Sequence, residues 1–184
     1  SHITRAINIK WNRTTLLNLV VRRLLRNDAV AEAFGVVPGE VLEEVDAQQA
    51  LFDQVFPEQI DVGPNKPAAF DWMLSRVVDG SKENVPRELI HLLSEARRLQ
   101  LERLEIGHDE PDAESLFDRG TFREALPEVS RVRLENTLYA EYPEVKPWLE
   151  ALEREKTEQF PETLATIWGV KEATATESAE RLVV

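Results

Sequence analysis

In this 184-residue chain, apolar side chains recur three and four positions apart, and no run sustains an alternation of period two. The first pattern gathers a stripe along one side of an α-helix, whereas a half-buried strand needs the second. Residues 85–106 give the clearest case, with Leu89, Ile90, Leu92, Leu93, Ala96, Leu99 and Leu104 on the stripe. Asn84 stands where a helix cap belongs, Pro86 falls in the first turn where its missing N–H costs nothing, and Gly107 takes the position just past the end. The one Asp-Gly pair, Asp79-Gly80, follows a helical pattern and reads as a helix exit, not as a hairpin turn. Only 7 glycines interrupt a sequence rich in Leu, Glu, Arg and Ala. The expected fold is all-α, a multi-helix array with little or no strand.

The same signals place further helices. Thr14 or Thr15 can cap one that runs through LLNLVVRRLLRNDAVAEAFG and ends near Gly35. Residues 36–47 read as a loop with a short helical turn, and 48–56 as a short helix halted by Pro57. Three prolines and Gly63 make 57–67 an ordered loop. Residues 68–78 are helical, with Phe70, Trp72, Met73, Leu74 and Val77 on a broad apolar face. The stretch 108–115 is acidic and broken by proline. Thr121-x-x-Glu124 has the form of a capping box, opening a helix that bends at Pro127 and continues towards Pro143. Segments 145–153, 161–168 and 175–184 finish the chain, with Gly169 as a stop and Thr174 as a cap. The last segment ends on Leu182-Val183-Val184 without a stop signal, as a helix cut short would. These signals divide the chain into a helical domain over 1–107, an acidic linker over 108–120 and a second helical domain over 121–184.

Charge narrows the function. The chain carries 22 Lys and Arg against 34 Asp and Glu, a formal charge of −12. That balance argues against a surface that binds polyanions throughout. The total hides an asymmetry: the first 26 residues hold Arg5, Lys10, Arg13, Arg22, Arg23 and Arg26 and no acid, while the remainder is strongly acidic. Arg22, Arg23 and Arg26 lie away from the apolar stripe of their helix. They form either a solvated basic side or a docking surface for an acidic neighbour or a phosphate backbone.

Few chemistries remain open. The absence of cysteine excludes a disulfide framework, a thiolate metal site and a cysteine nucleophile. No glycine stands in a GxxxxGK[ST] or GxGxxG context, so no phosphate cradle is encoded. His2, His91 and His108 are isolated, with no helix-spaced pair for zinc. No stretch approaches 18 consecutive apolar residues and no leader pattern opens the chain, so the expectation is a cytoplasmic protein with no membrane partner. No complete active site is encoded, no metal site is expected, and no residue is assigned a catalytic role.

One position stands out. Arg87 falls in the first turn of the long 85–106 helix, where free N–H groups and the positive end of the helix dipole favour an anion. A forked guanidinium there can meet a phosphate carried by another domain, or pair with Glu83, Glu88 or another nearby carboxylate.

These residues also carry a resemblance. The helix with LLNLVVRR (16–23) after Trp11, the segments FDWMLSRVVDG (70–80) and VPRELIHLLSEA (85–96), and EVSRVRLENTLYAEYP (128–143) together resemble a family of bacterial P-loop ATPases near the STAND and KAP-like branch of the AAA+ relatives. In that family an N-terminal nucleotide-binding core precedes a helical lid and a winged-helix domain, and the chain is similar to the part after the core. The resemblance implies that Arg87 is a sensor-like arginine touching nucleotide. Lys82-Glu83 intrudes before the motif, and the glycine lies six residues ahead of Pro86 instead of beside it. The resemblance also makes the region from Thr121 the helical part of a winged helix without its wing.

The function so implied is the non-catalytic C-terminal part of an ATPase. It would sense or transmit nucleotide state, contact an upstream nucleotide-binding domain that holds ATP and Mg, and take part in self-association or signal transduction. Two alternatives stand beside it. One is a nucleic-acid-binding module using the basic start, which the acidic remainder disfavours. The other is a helical adaptor with no nucleotide link.

Overall fold

A computed structural model of the chain describes residues 11–78, 86–108, 111 and 115–182. Among them there is no β-strand, and the fold is all-α. The chain forms two compact units, Ser1–Pro127 and Glu128–Val184. Asp79-Gly80, Lys82-Glu83 and the Asn84 cap lie outside the described residues.

The first unit contains α1 (Arg13–Leu24), α2 (Asp28–Ala33), α3 (Pro38–Glu43), α4 (Val45–Val55), α5 (Ala69–Val77) and α6 (Pro86–Glu105), together with the start of α7 (Arg119–Arg133). Asn12, and neither Thr14 nor Thr15, caps α1. Its Oδ1 accepts from Thr15 N–H at 2.9 Å, and Thr15 Oγ1 accepts from Asn12 N–H at 2.9 Å. The helix expected to reach Gly35 is two helices. Asn27 stops the first by capping the second, its side chain accepting from Ala29 N–H. Residues 36–47, expected to be mostly loop, hold α3 and the start of α4.

The stripes of these helices meet in one core. Leu16, Leu17, Val20 and Val21 from α1 are buried, as are Leu51, Phe52 and Val55 from α4. α5 buries Phe70, Trp72, Met73 and Val77, and α6 buries Leu89, Leu92 and Ala96. An aromatic seam runs through the core: the Phe52 ring centroid lies 4.4 Å from Phe56 and 5.0 Å from Phe70, and Phe56 stacks on Phe117 at 5.1 Å. Such pairs add roughly 0.5–1.5 kcal/mol each beyond their buried area.

The segment before α7 belongs to this unit. Leu116 N–H donates to Val55 O at 2.9 Å, and Asp118 N–H donates to the buried Gln100 side chain at 2.8 Å. Asp118 then starts α7, its Oδ1 accepting from Gly120 N–H and its carbonyl from Thr121 Oγ1. Thr121 is therefore no cap; it is fully buried beside Phe122 and Ala125. The division between units falls inside α7, after Pro127, and not at the acidic stretch, because residues 116–125 are drawn into the first core.

The second unit continues from Glu128 along α7 into a π turn, Leu134–Leu138, and α8 (Tyr139–Glu141). A 3₁₀ turn at Pro143–Val145 leads to α9 (Lys146–Ala151), α10 (Pro161–Trp168) and α11 (Glu172–Leu182). Trp148 and Trp168 meet edge to face at 5.0 Å, and the Trp168 indole N–H donates to Trp148 O at 3.0 Å. Gly169 ends α10 at φ 65, in the left-handed region that favours glycine. The last helix starts at Glu172, so Thr174 lies within it and does not cap it.

Candidate functional site

Between α1 and α6 the stripes do not close completely. An apolar cleft of about 140 Å³ lies there, lined by Val20, Leu24, Phe56, Ile90, Leu93 and Phe117, with Ser94 at its edge. Val20 and Phe56 are buried; Leu24, Ile90, Leu93 and Phe117 are half-buried. Arg23 of α1 and Arg97 of α6 complete the lining, and both are exposed. On α6 the lining positions 90, 93, 94 and 97 follow helical spacing, which puts them on one side of the helix.

Several arginines among the described residues of the first unit are engaged. Arg13 Nε lies 2.7 Å from Asp71 Oδ1, with its guanidinium 5.2 Å from the Phe70 ring centroid. Arg98 bridges Glu95 and Glu102, and Arg103 bridges Asp118 and Glu124. Arg123 pairs with Asp61, and Arg76 lies over the Trp72 ring. Arg23 and Arg97 meet no carboxylate among the described residues. Arg22, Arg26, Arg76, Arg87 and Arg119 also meet none there; what sets Arg23 and Arg97 apart is that both line the apolar cleft.

The structure separates the three cations of the first helix. Arg22 Nε donates to Asn18 Oδ1 at 2.7 Å, and Asn18 in turn donates to the buried Gln48, so Arg22 is held on the α4 side. Arg23 lines the cleft, and Arg26 is exposed beyond the end of α1. Arg87 is exposed in the first turn of α6 and has no ion pair among the described residues. It shares a side of α6 with Ile90, Ser94 and Arg97, about 15 Å from Arg97 along the axis. Arg97 and Phe117 were not singled out from sequence. Helical spacing from Ile90 points to Arg97, whereas Phe117 joins the cleft only through tertiary packing.

A second depression, about 530 Å³, lies along Trp11, Thr15, Asn18, Leu42, Val45 and Gln48. Its polar groups already bond one another, Asn18 to Gln48 and Gln48 to Leu42 O.

Asp61 is the other concentration of polar contacts. Its Oδ2 accepts from the Trp72 indole N–H at 2.8 Å and its Oδ1 pairs with Arg123 at 2.7 Å. The Trp72 hydrogen bond and then Arg123 hold its carboxyl below the ordinary carboxylate range, against the opposing effect of burial. Every partner is internal to the first unit, so this is a strut. In the second unit, burial and then Glu150, Glu153 and Glu135 push the Tyr139 hydroxyl up.

His91 is half-buried in α6 and His108 is exposed at its end. No group of three or more metal-ligating side chains gathers among the described residues. No described helix is long and apolar enough to cross a membrane. The chain matches no family model, no curated protein and no solved structure. The fold and cleft thus describe an all-α, two-unit protein with an arginine-flanked apolar groove.

Proposed function

We propose that this chain is a non-catalytic helical interaction module that receives an anionic partner through the exposed arginines of α1 and α6. The observation behind this reading is that Arg23 and Arg97 flank an apolar cleft with no carboxylate partner among the described residues, in a chain with an excess of acid. A guanidinium left to water beside apolar surface gains most from a carboxylate or phosphate that brings its own apolar cover. The strongly acidic remainder of the chain repels a duplex, with about one charge per 1.7 Å, more than the sparser acids of a protein partner. The last helix, with Glu172, Glu177 and Glu180 against Arg181, presents a poor surface for phosphates.

Fluorescence anisotropy with labelled poly-glutamate and duplex DNA tests this reading. Poly-glutamate binding that falls with salt and weakens about fivefold or more in the Arg23→Glu/Arg97→Glu variant is expected. Tighter binding to DNA than to poly-glutamate, or no binding to any acidic probe, overturns it.

A second reading attaches to Arg87, exposed in the first turn of the 20-residue helix α6. In it the module is the helical part of a P-loop ATPase, the upstream domain holds ATP and Mg, and Arg87 meets nucleotide. Replacing Arg87 by Ala in the full-length gene product discriminates: lost ATP turnover supports the sensor, and unchanged turnover removes it.

A further inference from the structure

We infer that the α1–α6 cleft is an anchor site for an acidic peptide segment of a partner protein, taking one large apolar side chain whose neighbouring carboxylates meet Arg23 and Arg97. The inference deepens the interaction-module reading and rests on it. Three properties of the cleft select this occupant over others.

The first is size. At about 140 Å³ the cleft is smaller than the 300–1,000 Å³ typical of small-molecule sites, and close to a cavity that holds a single benzene ring. One Phe, Leu or Trp side chain fills it. The second is lining. Val20, Phe56, Ile90 and Leu93 are apolar and three of the four come from two helices, which gives a fixed slot and not an adaptable loop. Protein interfaces concentrate their binding energy in such slots, where one aromatic or aliphatic side chain is fully desolvated and polar contacts ring it. The third is charge. The ring here is cationic on both walls, Arg23 on α1 and Arg97 on α6, so the complementary segment carries acid beside its anchor. Two arginines are too few for a phosphate backbone, which needs a continuous cationic track.

Nine-residue labelled peptides test the site on the full chain at about 0.15 M salt, where charges beyond about 8 Å are screened. One peptide is Glu-rich with a central Phe, one replaces that Phe by Ala, and one keeps Phe but replaces Glu by Lys. The Phe/Glu peptide is expected to bind about tenfold tighter than the Ala/Glu peptide, and the Phe/Lys peptide is expected not to bind. Arg23→Ala/Arg97→Ala should cost the Phe/Glu peptide about tenfold or more. Ser94→Phe fills the slot from an exposed helix position and should abolish the Phe advantage while the circular dichroism spectrum stays unchanged. Equal affinity for the Phe and Ala peptides overturns the anchor and leaves the interaction module standing; loss of binding to both Glu peptides overturns the module as well. Self-association of the chain that Ser94→Phe abolishes would make the occupant a second copy, and also overturns the proposal.

Discussion

Arg123 Nη2 lies 2.7 Å from Asp61 Oδ1, across 62 residues of sequence, and the same guanidinium donates to Ile60 O at 3.0 Å. Together with the Trp72 indole N–H on the other carboxylate oxygen, this fastens the proline-rich 57–67 loop to α5 and α7. The loop contributes the fully buried Ile60 to the core, so the strut holds apolar packing as well as charge.

Replacing Asp61 by Ala should lower the thermal midpoint by several degrees, because the Trp72 N–H loses its acceptor beside a buried ring. The pH dependence follows from the lowered carboxyl. A group whose folded value lies below its ordinary value of about 3.9 contributes in full above that value, and the contribution disappears as pH falls through the folded value. Thermal melts from about pH 6 down to about pH 3 check this. The stability gap between the native chain and Asp61→Asn should narrow at the acid end, and a constant gap would contradict the strut.

Phe122 and Phe160 form a contrasting pair. Phe122 is fully buried, with its ring 5.6 Å from Phe117, whereas Phe160 is 65% exposed. Phe122→Ala should cost about 3–5 kcal/mol in urea unfolding, through lost burial and an unfilled cavity. Phe160→Ala should stay within about 0.5 kcal/mol.

Glycines at two helical positions should respond with opposite sign. Gly169 ends α10 at φ 65 with nothing within 4 Å of an added Cβ, so strain alone opposes Ala, at roughly 1–2 kcal/mol. Gly39 sits inside α3, also with open space, and lacks a positive φ. Gly39→Ala should stabilise by about 0.4–1 kcal/mol. Denaturation midpoints of the two variants decide the matter.

Gln100 offers a test of the segment before α7. It is buried in α6 and accepts from Asp118 N–H at 2.8 Å. Gln100→Leu keeps the bulk and removes the acceptor, at a cost of about 1–3 kcal/mol. Amide hydrogen exchange at 116–118 should rise with it, and unchanged exchange would mean that the backbone bond from Leu116 to Val55 holds the segment unaided.

The sequence by itself determined the all-α class and much of the helix map. α6 occupies Pro86–Glu105 against an expected 85–106, and Gly107 follows it at φ 86, as the cap pattern required. Such signals act within one or two turns, so a single chain segment carries them. They fail where two local signals compete. Asn27 restarts a helix inside a continuous apolar pattern, and Asp118 caps α7 ahead of the more conspicuous Thr121 box. The candidate site divides the same way. Arg23 was legible as one of three cations beside an apolar stripe, and helical spacing made Arg97 reachable. Their meeting at one cleft, with Phe56 and Phe117 also in its lining, was decided by the tertiary structure alone. Contacts between residues tens of positions apart depend on how the buried stripes pack, and no local periodicity encodes which two stripes will leave a gap.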